Sequence, residues 1–186
     1  LAAAPIGQLD QAIIAFQKVL AIKPDYDEAY NNIGNVLKEQ GKLVKATEAY
    51  RKASTLNPFN AEAYGNMGIA LADQGKLEEA TAAYKKALAI RPDYAEAYCN
   101  MGIALADQGK REESVAAYNQ ALTIRPDYAE AHNNIGTVLS DQGKMAKAIE
   151  AYKKALTIKP DYAEAYNNMG NALQYQDKLE EAIKAY

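Results

Sequence analysis

Apolar and small residues recur along the chain at the spacing of amphipathic helices, and a glycine or a proline follows each apolar segment. Within residues 95–128, the first segment carries this spacing at Ala97, Tyr98, Met101, Gly102 and Leu105. The second segment carries it at Val115, Tyr118, Ala121 and Leu122. Side chains at such intervals lie on one face of an α-helix. The pattern therefore predicts two helices, separated by a turn at Gly109 and ended by Pro126.

The same pattern returns every 34 residues, and residues 61–94 match residues 95–128 at 27 of 34 positions. The period is kept by prolines, glycines and tyrosines at Pro24, Pro58, Pro92, Pro126 and Pro160, at Gly34, Gly68, Gly102, Gly136 and Gly170, and at Tyr50, Tyr84, Tyr118, Tyr152 and Tyr186. Such a period is typical of repeat arrays, in which neighbouring units bury each other's apolar faces. We divide the chain into a lone second helix, four full repeats and a truncated repeat, at 8–22, 27–60, 61–94, 95–128, 129–162 and 163–186.

Polar and small residues predict how the helices begin and pack. A D-x-x-E pattern predicts a capping box before most first helices, at Asp25/Glu28, Asp93/Glu96, Asp127/Glu130 and Asp161/Glu164. Phe59-Asn60 breaks this pattern, so Asn60 is expected to cap the helix that begins near Ala61. Each mid-helix glycine costs about 1 kcal/mol against alanine. We therefore expect these glycines to allow close approach of the second helix, opposite the small residues Ala46, Ala80, Ser114, Ala148 and Ala182.

The spacing Tyr98-x-x-Met101-Gly102-x-x-Leu105, followed by Ser114, Tyr118, Ala121 and Pro126, resembles the tetratricopeptide repeat, with tyrosine at its usual tryptophan position. The resemblance covers nearly the whole chain, so residues 1–186 are expected to form a single array. It implies an all-α tetratricopeptide-repeat solenoid, in which antiparallel helix pairs form a right-handed superhelix and the first helices line a concave groove. We expect about eleven helices and no strands.

Composition and charge narrow the class of function. Hydrophobic residues make up 49% of the chain, and the formal net charge is −3 with the basic residues dispersed, which favours neither nucleic acid nor a membrane as partner. The lone His132 occupies an aromatic position of the repeat, and the lone Cys99 has no basic neighbour pattern. Because no catalytic, metal-binding or cofactor motif is present, we expect no enzyme activity, no metal and no cofactor.

Asparagine is the polar residue that follows the repeat most strictly. One lies in every first helix and others flank it, giving the series Asn32, Asn66, Asn100, Asn134 and Asn168 with Asn31, Asn133 and Asn167 before it and Asn35 and Asn171 after it. The resemblance places them on the concave side. A carboxamide both donates and accepts hydrogen bonds, so this series predicts a site for the backbone of an extended peptide. It is similar to the asparagine ladder in the repeat arm of O-linked N-acetylglucosamine transferases. The alternative is that these amides bond neighbouring helices and hold the repeats in register.

Acidic residues set the expected preference for a partner. One glutamate recurs in each first helix, either as a capping residue alone or also as part of an acidic ridge: Glu28, Glu62, Glu96, Glu130 and Glu164. Repeat domains that capture the acidic tail of chaperones resemble one another in groove lysines and an arginine, and this chain has no cation at the corresponding positions. A protein or peptide partner with a neutral or basic extended segment is therefore expected.

Three functions stay open. The first is a protein-binding scaffold without enzyme activity, and the second is the substrate-recruiting arm of a glycosyltransferase whose catalytic domain lies elsewhere. The third is a structural array that associates end to end. Apolar residues at both ends favour self-association and a longer array, namely Leu9, Ile13, Phe16 and Leu20 near one end and Leu179, Ala182, Ile183 and Tyr186 near the other.

Overall fold

A computed structural model describes residues 6–176 of the chain, which contain ten α-helices and no strand. The helices are α1 (Ile6–Ile22), α2 (Asp27–Glu39), α3 (Leu43–Leu56), α4 (Ala61–Ala72), α5 (Leu77–Ile90), α6 (Ala95–Asp107), α7 (Arg111–Ile124), α8 (Ala129–Asp141), α9 (Met145–Ile158) and α10 (Ala163–Tyr175). Helix α1 overlaps the segment predicted as a helix at 8–22, and α2–α9 lie within the four predicted helix pairs. The expected eleventh helix, in the truncated repeat, lies outside the described residues.

The chain divides into two compact units, Leu1–Pro92 and Asp93–Tyr186. Within the first unit α2 packs along α3 and α4 along α5, while α1 covers α2 and α3 contacts α4. Within the second unit α6 packs along α7 and α8 along α9, while α7 contacts α8 and α9 contacts α10. Each unit thus stacks helix pairs in sequence order. The assignment of residues 1–186 to a single array stays a prediction.

A left-handed glycine turns the chain between the two helices of each repeat. Gly109 has φ of 76°, a conformation that costs glycine little because it has no Cβ. Its N–H donates to the carbonyl of Ala106, and the N–H of Lys110 donates to the carbonyl of Leu105 at 2.9 Å. These two bonds satisfy carbonyls that the helix end leaves without partners. The predicted turn is confirmed here and at the equivalent residues Gly41, Gly75 and Gly143.

Proline ends each second helix through the residue that precedes it. Arg125, the C-terminal cap of α7, has φ of −129° and ψ of 90°, which is the extended conformation that a following proline favours. Lys159 before Pro160 has nearly the same angles. The connection to the next first helix is therefore short and repeats its shape.

The predicted capping boxes are wrong. The residue that caps α8 is Tyr128, whose side chain makes no capping bond, and Tyr26, Tyr94 and Tyr162 cap their helices in the same way. The aspartate of the D-x-x-E pattern therefore lies one residue before the cap, where its carboxylate does not cap the helix. At Asn60 the prediction is confirmed, because its Oδ1 accepts a hydrogen bond from the N–H of Ala63 at 2.9 Å.

Four of the five mid-helix glycines pack against a buried tyrosine of the second helix, and the tyrosine expected opposite Gly170 lies outside the described residues. A Cβ built on Gly68 would lie 2.5 Å from Cε1 of Tyr84, and the contact repeats at Gly34/Tyr50, Gly102/Tyr118 and Gly136/Tyr152. These four tyrosines are almost fully buried. The small residues opposite also take part, since Ser114 donates to the carbonyl of Gly102 at 2.7 Å. The predicted close approach is confirmed, and the tyrosine ring is the group that needs the space.

We expect Gly68→Ala to lower the free energy of unfolding by about 1–3 kcal/mol, because the added methyl group overlaps the Tyr84 ring in a packed core. The matched control is Gly7→Ala in α1, where a Cβ meets nothing within 4 Å. That change is expected to be neutral or stabilising by up to about 1 kcal/mol. Urea denaturation followed by circular dichroism measures both changes. Equal effects of the two substitutions would contradict the packing argument.

Candidate functional site

The five repeated asparagines occupy one equivalent position in α2, α4, α6, α8 and α10, and all five are half-buried. Each lies two residues before the mid-helix glycine. Two residues turn an α-helix by about 200°, so the amides lie far round the helix from the face that packs on the tyrosine. This agrees with the predicted separation of the asparagines from the packing face.

In the first unit, Asn31, which directly precedes Asn32 of this series, is hydrogen-bonded to the next first helix, α4. Asn31 of α2 accepts a hydrogen bond from Nδ2 of Asn66 at 3.2 Å and donates to Oε1 of Glu62 at 3.4 Å. Glu62 and Asn66 lie one helical turn apart on α4, so their side chains reach the same partner. Asn31 is 5% exposed. Its amide therefore links two successive first helices.

The same arrangement recurs in the second unit. Asn133 of α8 accepts from Nδ2 of Asn168 at 3.1 Å and donates to Oε1 of Glu164 at 3.1 Å. Asn133 is fully buried, so both bonds satisfy polar groups that have lost water. At the equivalent position of α6, Cys99 receives a weaker contact of 4.0 Å from Nδ2 of Asn134. We call the asparagine with its glutamate and asparagine partners the amide clamp.

The amide clamp separates the predicted site residues into groups. Asn31 and Asn133 are buried between helices, which supports for these two the alternative that amides hold the repeats in register. Asn35 accepts a hydrogen bond from the hydroxyl of buried Tyr50 at 2.8 Å, so it also supports packing. Asn167 and Asn171 are exposed, and Asn171 has a partner within the molecule. Peptide binding by any member of the series stays a prediction.

Asn32 and Asn100 are the half-buried members of the series whose amides the described residues leave without a side-chain hydrogen bond. Within residues 6–176 neither makes a side-chain hydrogen bond, whereas Asn66 uses one of its two N–H groups to reach Asn31. A carboxamide offers two N–H hydrogens and an oxygen with two lone pairs. These half-buried amides therefore retain donors and acceptors for a ligand.

Two of the repeated glutamates pair with a cation at the end of the following second helix. Glu96 forms an ion pair with Nη1 of Arg125 at 2.8 Å, and Glu130 forms a longer one with Nζ of Lys159 at 3.7 Å. The Arg125 guanidinium also lies 3.5 Å from the centre of the Tyr128 ring, a favourable cation–π contact. Burial raises the pKa of Tyr128, so its hydroxyl stays neutral beside these charges.

A pocket of about 620 Å³ opens in the first unit where α2 and α4 begin. Amides, carboxylates and two apolar side chains line most of it: Asp27, Glu28, Asn31, Asn32, Asn57, Phe59, Asn60, Ala61, Glu62, Ile90 and Arg91. Sequence reasoning included Asn31 and Asn32 but missed Asp27, Asn57 and Phe59 as site residues. The available signal was the break in the repeat at Asn57-Pro58-Phe59-Asn60, which we interpreted as a change of cap alone.

The two residues considered for catalysis have surroundings that favour their neutral forms. Burial is the main cause that lowers the pKa of His132, which is half-buried at its aromatic position. Burial likewise raises the pKa of the Cys99 thiol, with hydrogen bonds from Tyr128 and Asn134 acting in the opposite direction. The described residues contain no group of three or more histidine, cysteine or acidic side chains placed to hold a metal ion. Nor does any helix among them have the length and apolar character to cross a membrane.

Comparisons with known proteins agree on one family. A family model of the TPR repeat matches residues 6–41, 34–75, 68–109, 104–143 and 136–177. The chain shares 30% sequence identity with MamA protein, and its fold matches a crystal structure of that protein with a TM-score of 0.76. The match covers 86% of this chain and 87% of that one. Pseudomonas aeruginosa pilF is 25% identical with a TM-score of 0.79, covering 86% of this chain and 73% of that one.

A third similar structure is YrrB, described as a TPR protein with an unusual peptide-binding site. It is 23% identical with a TM-score of 0.73, covering 92% of this chain and 88% of that one. At this identity the likeness concerns the fold alone. No curated protein sequence matches the chain significantly.

We expect Asn133→Ala to lower the free energy of unfolding by about 1–3 kcal/mol, because it removes a fully buried side chain together with its two hydrogen bonds to α10. The control is Asn167→Ala, which removes an exposed amide of the same series and is expected to change stability by less than about 0.5 kcal/mol. Urea denaturation of both variants measures the difference. A stable Asn133→Ala protein would show that the amide clamp contributes little.

Proposed function

Because the chain belongs to the tetratricopeptide repeat family, we propose that it is a scaffold that binds an extended segment of a partner protein along the faces of its first helices. The observation that carries this proposal is the position of Asn32 and Asn100, whose half-buried amides the described fold leaves without side-chain hydrogen bonds. A polar residue kept at a half-buried repeat position without a structural partner suits a binding role.

An amide series suits the backbone of a partner because each amide can bond one C=O and one N–H of an extended chain. Neighbouring first helices pack about 10 Å apart, while an extended chain rises about 3.3 Å per residue. One asparagine can then meet the partner at about every third residue. Binding of this kind depends little on the partner's side chains, so charge must supply part of the selectivity.

Charge favours a neutral or basic segment. Glu28 and Glu62 line the pocket of the first unit beside Asn32, and both carboxylates are exposed. A carboxylate-rich partner would meet like charges there and lose affinity. A basic segment gains attraction that strengthens as ionic strength falls.

We propose that the scaffold has no enzyme activity of its own, supported by the burial of Cys99, the half-burial of His132 and pKa shifts that favour the neutral form of both. The alternative is a substrate-recruiting arm that works with a glycosyltransferase domain. In both cases the chain described here binds a protein segment. Adding a nucleotide sugar and a bound peptide to the isolated chain, with mass spectrometry of the peptide, distinguishes an intrinsic transfer activity from binding alone.

The binding proposal predicts that Asn32→Ala/Asn100→Ala loses affinity while its melting temperature changes little, since neither amide makes a side-chain hydrogen bond in the described residues. Peptides selected from a displayed random library on the unmodified chain serve as ligands. We expect at least about a tenfold increase in Kd for the double variant, equivalent to about 1.4 kcal/mol.

The matched control is Asn133→Ala, which breaks the amide clamp of the second unit. It is expected to lower stability, with the selected peptides still bound below its melting temperature. If Asn32→Ala/Asn100→Ala binds these peptides as tightly as the unmodified chain, the amides do not hold the ligand and the proposal is wrong.

Self-association is a second candidate, favoured by the apolar surface of α1. Ile14 is 52% exposed and Ile22 is 87% exposed, while Phe16 and Leu20 are half-buried. The C-terminal residues on which the same expectation rested lie outside the described residues. We expect sedimentation velocity at rising protein concentration to show association, and Ile14→Lys/Ile22→Lys to reduce it. An unchanged monomer across the concentration range would exclude this candidate.

A further inference from the structure

The connection between α3 and α4 departs from the other connections of the chain. Where the equivalent segment of the second unit reads Arg125-Pro126-Asp127-Tyr128, this one reads Asn57-Pro58-Phe59-Asn60. The residue that begins α2 also changes, to Asp27 from the alanine that begins the other first helices. At this connection Asn57 replaces the cation, Phe59 replaces the acidic residue and Asn60 replaces the aromatic residue, while an acidic residue stands nearby at Asp27.

The regular connection between α7 and α8 in the second unit uses its charge and its aromatic ring in contacts within the protein. Arg125 neutralises Glu96 through the 2.8 Å ion pair and stacks on the ring of Tyr128. Tyr128 itself is half-buried. Such a joint leaves little unpaired charge and little aromatic surface for a partner.

The α3–α4 connection leaves unpaired charge and aromatic surface available to a partner. Asn57 and Asn60 donate to one carboxylate oxygen of Asp27, at 3.0 Å and 2.9 Å, and bring no positive charge. The pocket is lined by three carboxylates, those of Asp27, Glu28 and Glu62, against the single guanidinium of Arg91 among its described lining residues. Beside these groups the ring of Phe59 is 81% exposed.

We propose that this pocket receives a lysine or arginine side chain of the partner segment, with a neighbouring apolar side chain of that segment packed on Phe59. The excess of carboxylates complements a cation, and an aromatic ring beside it adds both apolar contact and cation–π attraction. The volume of about 620 Å³ accommodates a long basic side chain with the residue beside it. The proposal rests on the binding function above and specifies a basic–apolar pair as what this end of the site selects.

The probe is a blocked hexapeptide, Ac-Gly-Ser-Lys-Leu-Ser-Gly-NH2, compared with the same peptide carrying glutamate for lysine. Titration into isotopically labelled protein is followed by amide chemical shifts. We expect shifts concentrated at residues 57–62, tighter binding of the lysine peptide by about fivefold or more, and weaker binding at high salt. A lysine peptide that binds no better than the glutamate peptide would overturn the proposal.

Two variants test the two features separately. Asn57→Arg restores the cation of the second unit's joint, and Phe59→Ala removes the exposed ring without adding a charge; each is expected to raise the Kd of the lysine peptide by about fivefold or more. The matched controls Thr55→Arg and Val44→Ala add a cation and remove an exposed apolar side chain, respectively, on α3 outside the pocket lining. They are expected to leave the Kd within about twofold.

The two proposals fail in different ways. If Phe59→Ala and Asn57→Arg bind like the unmodified chain while Asn100→Ala weakens the selected peptides, the pocket has no role and the amide site stands. If the pocket variants lose the lysine peptide while Asn100→Ala changes nothing, the pocket binds without the amide series. Loss of the lysine peptide in Thr55→Arg or Val44→Ala as well would show that the effect does not come from the pocket and would overturn the pocket proposal.

Discussion

The contact between a mid-helix glycine and a buried tyrosine ring is the constraint on which each helix pair depends. At Gly102 the ring of Tyr118 occupies the space that any larger residue would need. Ser114, on the same helix as Tyr118, donates a hydrogen bond to the carbonyl of Gly102. The two helices therefore lie closer than side chains of ordinary size permit. The helix gives up about 1 kcal/mol of intrinsic propensity at the glycine, and the burial of a whole tyrosine side chain offsets it. Because the pair is fixed in this way, the other faces of the first helix are available to contact the next repeat.

Neighbouring repeats are joined by polar contacts as well as by apolar packing. The amide clamp uses a buried asparagine such as Asn133 to bond two residues on one turn of the next first helix. Such bonds have strict geometry, and they cost stability when a partner is missing, so they fix the register between successive first helices. The same residue type thus bonds neighbouring first helices at Asn31, whereas the adjacent Asn32 makes no side-chain hydrogen bond within residues 6–176.

Because the repeats are so regular, the positions that depart from them are the ones that indicate function. Where the joint is regular, as at Arg125 and Tyr128, the cation and the ring satisfy one another within the fold. In the corresponding α3–α4 connection, the amide of Asn57 donates a hydrogen bond to Asp27 and the ring of Phe59 is exposed to solvent. The backbone path is preserved because Pro58 and the capping bond of Asn60 are still present. Side-chain chemistry has therefore changed at one joint without a change of fold.

The sequence by itself determined the all-α repeat fold, the helix pairs to within a few residues, and the turns at residues such as Gly109. These follow from local rules: helical spacing, the conformational freedom of glycine and the effect of proline on its predecessor. The capping boxes were predicted wrongly because the D-x-x-E spacing does not reveal that each first helix begins one residue later, after a tyrosine. Which asparagines are buried was decided only by the tertiary structure, since Asn31 and Asn32 differ by about 100° around one helix and local sequence does not specify where the neighbouring helix lies. The pocket beside Phe59 also required the structure, because its residues come from α2, the α3–α4 connection, the start of α4 and the end of α5, which only packing brings together.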